Sequence, residues 1–218
     1  MGSYSPHWGK SIWHHVSEAF LLFSVTLALM PMYWLCAGSL RRKNKTFVVT
    51  WGAVLVQLLF FGLIRHVTAD ITSDIGNELL YLPYMMAPLV VTVLLGPLLG
   101  MFATISICML GGFFILPEQY APEKQVQFWI LSSLSGMLTV LLTHNLRNRA
   151  QLLLAGFFVG LLVMVLCCIM GVINLQAWDY NLTGVLVCLA VAFGVSMLTS
   201  VLISGVLPII EGAFKIIT

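Results

Sequence analysis

The chain has 218 residues, of which 60% are apolar and only 8% charged, with a net charge of +2 and a mean hydropathy of +1.02. A water-soluble domain carries about 25% charged residues, so ten basic and eight acidic side chains cannot cover a globule of 24.1 kDa in water. The composition reads as a polytopic membrane protein, and it excludes a disordered chain, a secreted disulfide scaffold and a nucleic-acid binder.

Residues 1–16 form the first segment. Its stretch 4–15 is polar and aromatic, with Trp8 and Trp13. It lacks the basic start and small-residue cleavage site of a signal peptide, so it is expected to lie at the extracytoplasmic interface, where Trp and Tyr rings are favoured. A spanning helix needs about 20 apolar residues, and residues 17–210 divide into seven such stretches. The first is expected over 17–40, ending at the basic run Arg41, Arg42, Lys43, Asn44, Lys45. The second covers 47–65 and is followed by a polar loop, 66–78, with Asp70, Asp74 and Glu78. The third, 79–96, and the fourth, 98–115, meet at Gly96-Pro97 and are expected to form a helical hairpin; were this pair re-entrant, five true spans would remain. The fifth covers 127–144 and closes on a second basic run with Arg147 and Arg149. The sixth covers 151–173, and the seventh covers 181–207 and is expected to stop at Pro208. Residues 211–218 form a junction beyond the membrane. The fold class is therefore all-α, a bundle of seven transmembrane helices.

Basic residues set orientation, because cytoplasmic loops retain them. With the N-terminus outside, Arg41, Arg42, Lys43, Lys45, Arg147, Arg149 and Lys215 fall inside, and Lys10, Arg65 and Lys124 fall outside. That asymmetry predicts N-out, C-in.

Small residues let helices approach in lipid. Gly156 and Gly160, four apart in the sixth span, are expected to be a packing face, whereas Gly96 and Gly100 enclose Pro97 and read as a turn. Ser132, Ser133, Ser135 and Gly136, and again Ser196, Thr199, Ser200 and Ser204, form small polar stripes. They are expected to bond across to neighbouring helices, the alternative being a ligand-cavity lining. Pro31 and Pro88 are expected to kink their spans.

Ionisable groups deep in a membrane mark function, and this chain has almost none. Glu18, Arg65, His144 and Glu211 sit at span ends, which argues against a pump or ion-coupled transporter. The five cysteines fall in apolar runs without metal-ligand spacing and read as small core hydrophobes. No nucleotide loop, nucleophile elbow or zinc-protease motif is present. No cofactor, metal or catalytic activity is expected of this chain.

The C-terminal sequence Gly205-Val206-Leu207-Pro208-Ile209-Ile210-Glu211-Gly212-Ala213-Phe214-Lys215-Ile216-Ile217-Thr218 resembles the junction closing the membrane region of bacterial seven-transmembrane receptors with an intracellular HD hydrolase domain. Tyr81-Leu82-Pro83 through Leu95-Gly96-Pro97-Leu98-Leu99-Gly100 is similar to that family's third and fourth helices, and Arg147-Asn148-Arg149-Ala150-Gln151 through Gly156 to its basic turn into the sixth. The resemblance implies a membrane domain placed between an extracytoplasmic domain and a cytoplasmic His-Asp phosphohydrolase, which in known members hydrolyses cyclic di-AMP with bound metals. The sequence has no His-Asp dipeptide, so the expectation is an excised or truncated membrane domain in a bacterial inner membrane. It would work with an HD domain in cis or in trans, in lipid and as a homo-oligomer, with no nucleic acid. Pro208, Glu211 and Phe214 would relay an outside signal. Two other readings stand beside this one. A substrate-binding subunit of a vitamin uptake transporter would show an even helix count or a deep pocket lined by Trp34, Tyr81 and Tyr84. An envelope-assembly scaffold would show no pocket and a flat partner patch.

Overall fold

In hydrocarbon no water is available to backbone N–H and C=O groups, so an apolar chain must bond them internally, and a helix does so within one segment. The computed structural model describes residues 8–37, 44–68, 78–115, 122–144, 150–173 and 182–214, and among these there is no strand. The helices are α1 (Trp8–Ala37), α2 (Asn44–Thr68), α3 (Met86–Leu95), α4 (Pro97–Ile115), α5 (Pro122–Thr143), α6 (Ala150–Ile169) and α7 (Leu182–Phe214), with a 3₁₀ turn at Glu78–Tyr81. Five stretches are long and apolar enough to cross a membrane: Lys45–Val67, Glu78–Leu95, Glu123–Thr143, Gln151–Ile169 and Leu182–Ile209. Phe23–Ala37 and Pro97–Gly112 are shorter apolar helical stretches.

Several bounds differ from the sequence expectation. The third stretch is not one helix: a 3₁₀ turn, then Leu82 to Met85 outside any helix, precede the ten residues of α3. The break falls where Pro83 supplies no N–H and disfavours a helical residue before it. Pro88 sits in the first turn of α3, where an N–H would lack a helical partner anyway, so it starts a helix rather than kinking one. The hairpin turn is a single residue. Gly96 has φ +102°, which a side chain would strain, and Pro97 opens α4. The seventh helix does not stop at Pro208. It runs through that proline to Phe214, because a proline removes one backbone bond without forbidding the turns beyond it.

The centre of the bundle is the α3–α4 hairpin. Seven of the ten α3 residues are buried, and α3 packs on α2, α4, α5 and α7. Phe61, Phe102 and Phe128, from α2, α4 and α5, are the largest fully buried side chains. α4 and α5 run antiparallel, since a Cβ on Gly100 would meet Val140, one on Gly136 would meet Thr104, and one on Gly112 would meet Trp129. α6 and α7 are antiparallel as well: the Ser200 hydroxyl donates to the Leu152 carbonyl, and Gly160 lies against Phe193. Tyr33 of α1 and Trp51 of α2 both meet Phe102, next to Gly100 and hence to the end of α5. The helix ends flanking 38–43 and 145–149, the Gly96 turn and the C-terminal part of α7 therefore lie at one end of the bundle. Glu78, Gln127 and Met170 lie toward the other.

Candidate functional site

The break at 82–85 leaves backbone groups without helical partners inside the bundle, and such backbone persists at membrane depth only where protein satisfies it. Gln57, at the middle of α2, does this. Its Nε2 donates to the carbonyls of Pro83 (3.1 Å) and Tyr84 (3.2 Å), and its Oε1 accepts from the N–H of Ala87 (2.7 Å). The amide uses both its ends, which no apolar or purely acidic side chain could do. Gln57 is fully buried.

The segment above the break is tied in further. The Tyr84 hydroxyl donates to the Leu79 carbonyl at 2.8 Å, closing the 3₁₀ turn onto the break. The Tyr84 ring packs against both Phe61 of α2 and Phe128 of α5, with centroids 6.1 and 5.9 Å away, and those two rings also meet each other at 5.9 Å, separations favourable for tilted and edge-on aromatic pairs. At the end of the bundle Arg65 Nε lies 3.8 Å from Glu78 Oε2. Arg65 lies eight residues beyond Gln57 on α2, so that one helix meets both the break and the 3₁₀ turn that precedes it. The 3₁₀ turn also packs on α7. Nearby, Gln127 Nε2 donates to the Met170 carbonyl at 2.9 Å, joining α5 to the end of α6.

α7 borders this arrangement. It touches the 3₁₀ turn, α3 and α6, and Leu207 is the last of its buried residues among those described. Ser200 is level with Leu152, in the first turn of α6. From there α7 continues to Phe214, fourteen residues further, or about 21 Å at 1.5 Å per residue.

The residues singled out from sequence fall as follows. Gly156 and Gly160 face α7. A Cβ on Gly156 would come within 2.5 Å of Ser200 Cβ, and one on Gly160 within 3.0 Å of the Phe193 carbonyl oxygen. Pro208 is half-buried within α7. The backbone of Glu211 and Phe214 belongs to α7, and their side chains lie outside the described set. Lys45 is exposed in the first turn of α2, whereas Arg41, Arg42, Lys43, Arg147 and Arg149 lie outside the described residues. Of the two hydroxyl stripes, Ser200 bonds across to α6, but Ser133, Ser135 and Thr199 bond carbonyls of their own helices. Trp34 is exposed on the outer face of α1 while Tyr84 is buried in the core, so Trp34, Tyr81 and Tyr84 do not line one pocket. No group of three or more His, Cys, Asp and Glu suited to a metal occurs among the described residues.

Sequence reasoning passed over Gln57 because it searched the spans for charge. The available signal was an amide in the middle of a 47–65 run whose other polar residues are Thr50 near its start and Arg65 at its end, with Pro83 in the span that follows.

A helical membrane protein with a clamped, interrupted helix at its centre and a long final helix leaving one end is the class these features define. Residues 13–218 match the family described as 7TM receptor with intracellular HD hydrolase, and the chain belongs to that family. It is similar to the cyclic-di-AMP phosphodiesterase PgpH of Listeria monocytogenes serotype 1/2a (strain 10403S), with 26% identity over 181 residues, or 81% of this chain and 23% of that protein. The chain thus spans less than a quarter of the length of that curated relative. No solved structure matches it.

Proposed function

We propose that the chain is the transmembrane relay of an HD-type cyclic-dinucleotide phosphodiesterase, converting an outside signal into a movement of α7 that a cytoplasmic HD domain reads. The observation that carries this is α7 itself, in contact with the clamped segment at one end of the bundle and continuing as helix past the other. A ligand shifts such a device only by binding its two states unequally, and the 3₁₀ turn, held to both α2 and α7, is where a difference would enter. Pro208, Glu211 and Phe214 form the exit. On this reading the chain supplies no catalytic group, and hydrolysis of cyclic di-AMP belongs to the HD domain, in cis or in trans.

Seven crossings, N-out and C-in, in a bacterial inner membrane, complete the proposal. α1 has 30 residues and α4 has 19, about 45 and 28 Å of helix against a hydrocarbon core of about 30 Å. Arg41, Arg42, Lys43, Lys45, Arg147 and Arg149 fit the cytoplasmic side, the side on which α7 would leave.

The test joins an HD phosphohydrolase domain of the family in frame after Thr218 and inserts one to four alanines after Ala213. Each insertion turns the helix about 100° and lengthens it about 1.5 Å. A relay gives cyclic di-AMP hydrolysis that falls with one and two insertions and recovers near four. Equal hydrolysis across the series would leave an anchor and sink the relay.

A further inference from the structure

α1 is fastened to the bundle unevenly along its length. Among its described residues only Leu29, Tyr33 and Ala37 are buried, at a four-residue spacing that keeps them on one face. Val25, Met32 and Cys36 pack beside them, partly buried, while Phe20, Phe23 and Leu27, toward the Glu78 end of the bundle, are exposed. The helix packs chiefly on α4. The centre of that contact is Tyr33, whose ring meets Phe102 of α4 and Phe47 of α2, each at 5.5 Å between centroids. The same change shows on α4. Phe102 is 0% exposed, but Met109, about two turns further from the Gly96 turn and on the same face, is 46% exposed. α1 therefore grips the bundle from Leu29 to Ala37 and loses that grip toward the Glu78 end.

Pro31 falls inside this transition. α1 runs through it as helix, yet a proline has no N–H to give the carbonyl four residues back, that of Leu27, and its ring crowds that carbonyl. The backbone ladder thus lacks one bond between residues 27 and 31, the stretch in which burial begins at Leu29. Pro31 itself is exposed, so its ring faces away from the bundle. Sharp bends in helices occur at proline, and segments with few buried contacts are the ones that move at low cost. Both conditions meet on this one turn. Pro88 differs on both counts: it is buried, and it stands in the first turn of α3, where no helical bond is lost.

We infer that α1 is a hinged arm. Residues 32–37 are its fixed root, and the part of the helix up to Leu27 swings about the 27–31 turn, opening and closing the wedge between α1 and α4 over Met109. The arm follows from the packing of α1 and from Pro31, and it stands whether or not α7 relays a signal. A load on the free part would reach the bundle through Tyr33 and Phe102, on the helix that the Gly96 turn joins to α3. The test uses nitroxide labels carried on genetically encoded p-acetylphenylalanine, which leaves the five cysteines in place, with distances read by double electron–electron resonance in lipid nanodiscs. One pair joins position 20 to position 169, at the far end of α6, and a control pair joins 35 to 154, near the start of α6. Phe20, Ile169, Leu35 and Leu154 are all exposed, so the labels displace no core. Position 20 is eleven residues from Pro31, about 16 Å along the helix, and a bend of about 20° moves it by about 6 Å. The 20–169 distance distribution is therefore expected to be broader than the 35–154 distribution by about 6 Å. In Pro31→Ala, which restores the missing N–H, it is expected to contract to the control width. Equal widths for the two pairs in the unsubstituted protein overturn the arm, and this comparison needs no variant to fold. A broad 20–169 distribution that Pro31→Ala leaves unchanged also overturns the proposal, in favour of fraying at the start of α1.

Discussion

Leucine in place of Gln57 would keep the bulk of the side chain and remove all three of its hydrogen bonds, stranding the carbonyls of Pro83 and Tyr84 and the N–H of Ala87. Each buried group left unsatisfied costs about 1–3 kcal/mol, less where the segment can relax, so Gln57→Leu is expected to lower stability by about 2–4 kcal/mol. Gln57→Glu keeps an acceptor for Ala87 but loses both donated bonds, and it too is expected to be destabilised. Reversible unfolding in mixed detergent and lipid micelles measures both, and a Gln57→Leu chain as stable as the original would show that the break holds itself. The polar residues that organise this core were poorly legible in the sequence for a physical reason. A charge in a membrane stands out because its burial cost is large, whereas Gln57 is neutral and becomes decisive only because Pro83, twenty-six residues on, interrupts a helix beside it. Tyr84 was legible as an aromatic of interest, but not as one ring of a buried cluster with Phe61 and Phe128.

Between helices, glycine identity separates into two kinds. Gly156→Ala would drive a Cβ into Ser200 Cβ, and Gly160→Ala would press on the Phe193 backbone; neither obstacle can rotate away, so α6 and α7 must part. Overpacking of this sort costs about 1–3 kcal/mol. Gly194 and Gly205, on the same α7, have nothing within 4 Å of an added Cβ, and alanine there is expected to be neutral or stabilising by up to about 1 kcal/mol through helix propensity. Thermal unfolding of the four variants checks the contrast, and equal losses at all four would refute the close approach. The helical class, the Gly96 hairpin turn and most element positions could be read from hydropathy, because apolar length and Gly-Pro punctuation reflect local physics. The interruption of 79–96 and the passage of α7 through Pro208 could not. Both depend on whether neighbouring helices supply partners and packing, which a one-dimensional pattern does not contain.

For the molecule as a whole, the proposed orientation makes a direct statement about sides. A fluorescent protein fused after Thr218 is expected to mature and glow in the cytoplasm, and alkaline phosphatase at the same point is expected to be inactive. The reverse pair of results would overturn the N-out, C-in assignment. Replacing Arg41, Arg42, Lys43 and Lys45 together by glutamine removes four of the seven cytoplasmic basic residues assigned above and is expected to give a mixed population of orientations by the same reporters. The interrupted helix also bears on how the chain is made. Emerging from the ribosome, Glu78–Leu95 carries a proline break and an acid at its start, and 78% of its spanning window is covered by other helices in the finished protein. Lipid offers nothing to the carbonyls of Pro83 and Tyr84, so this segment gains its stable place from α2, which precedes it, and from α4 and α5, which are synthesised after it. Gln57 is thus already made when the broken backbone emerges, whereas the cover from α4 and α5 comes only after it, so the segment meets its hydrogen-bond partner before it meets most of its packing.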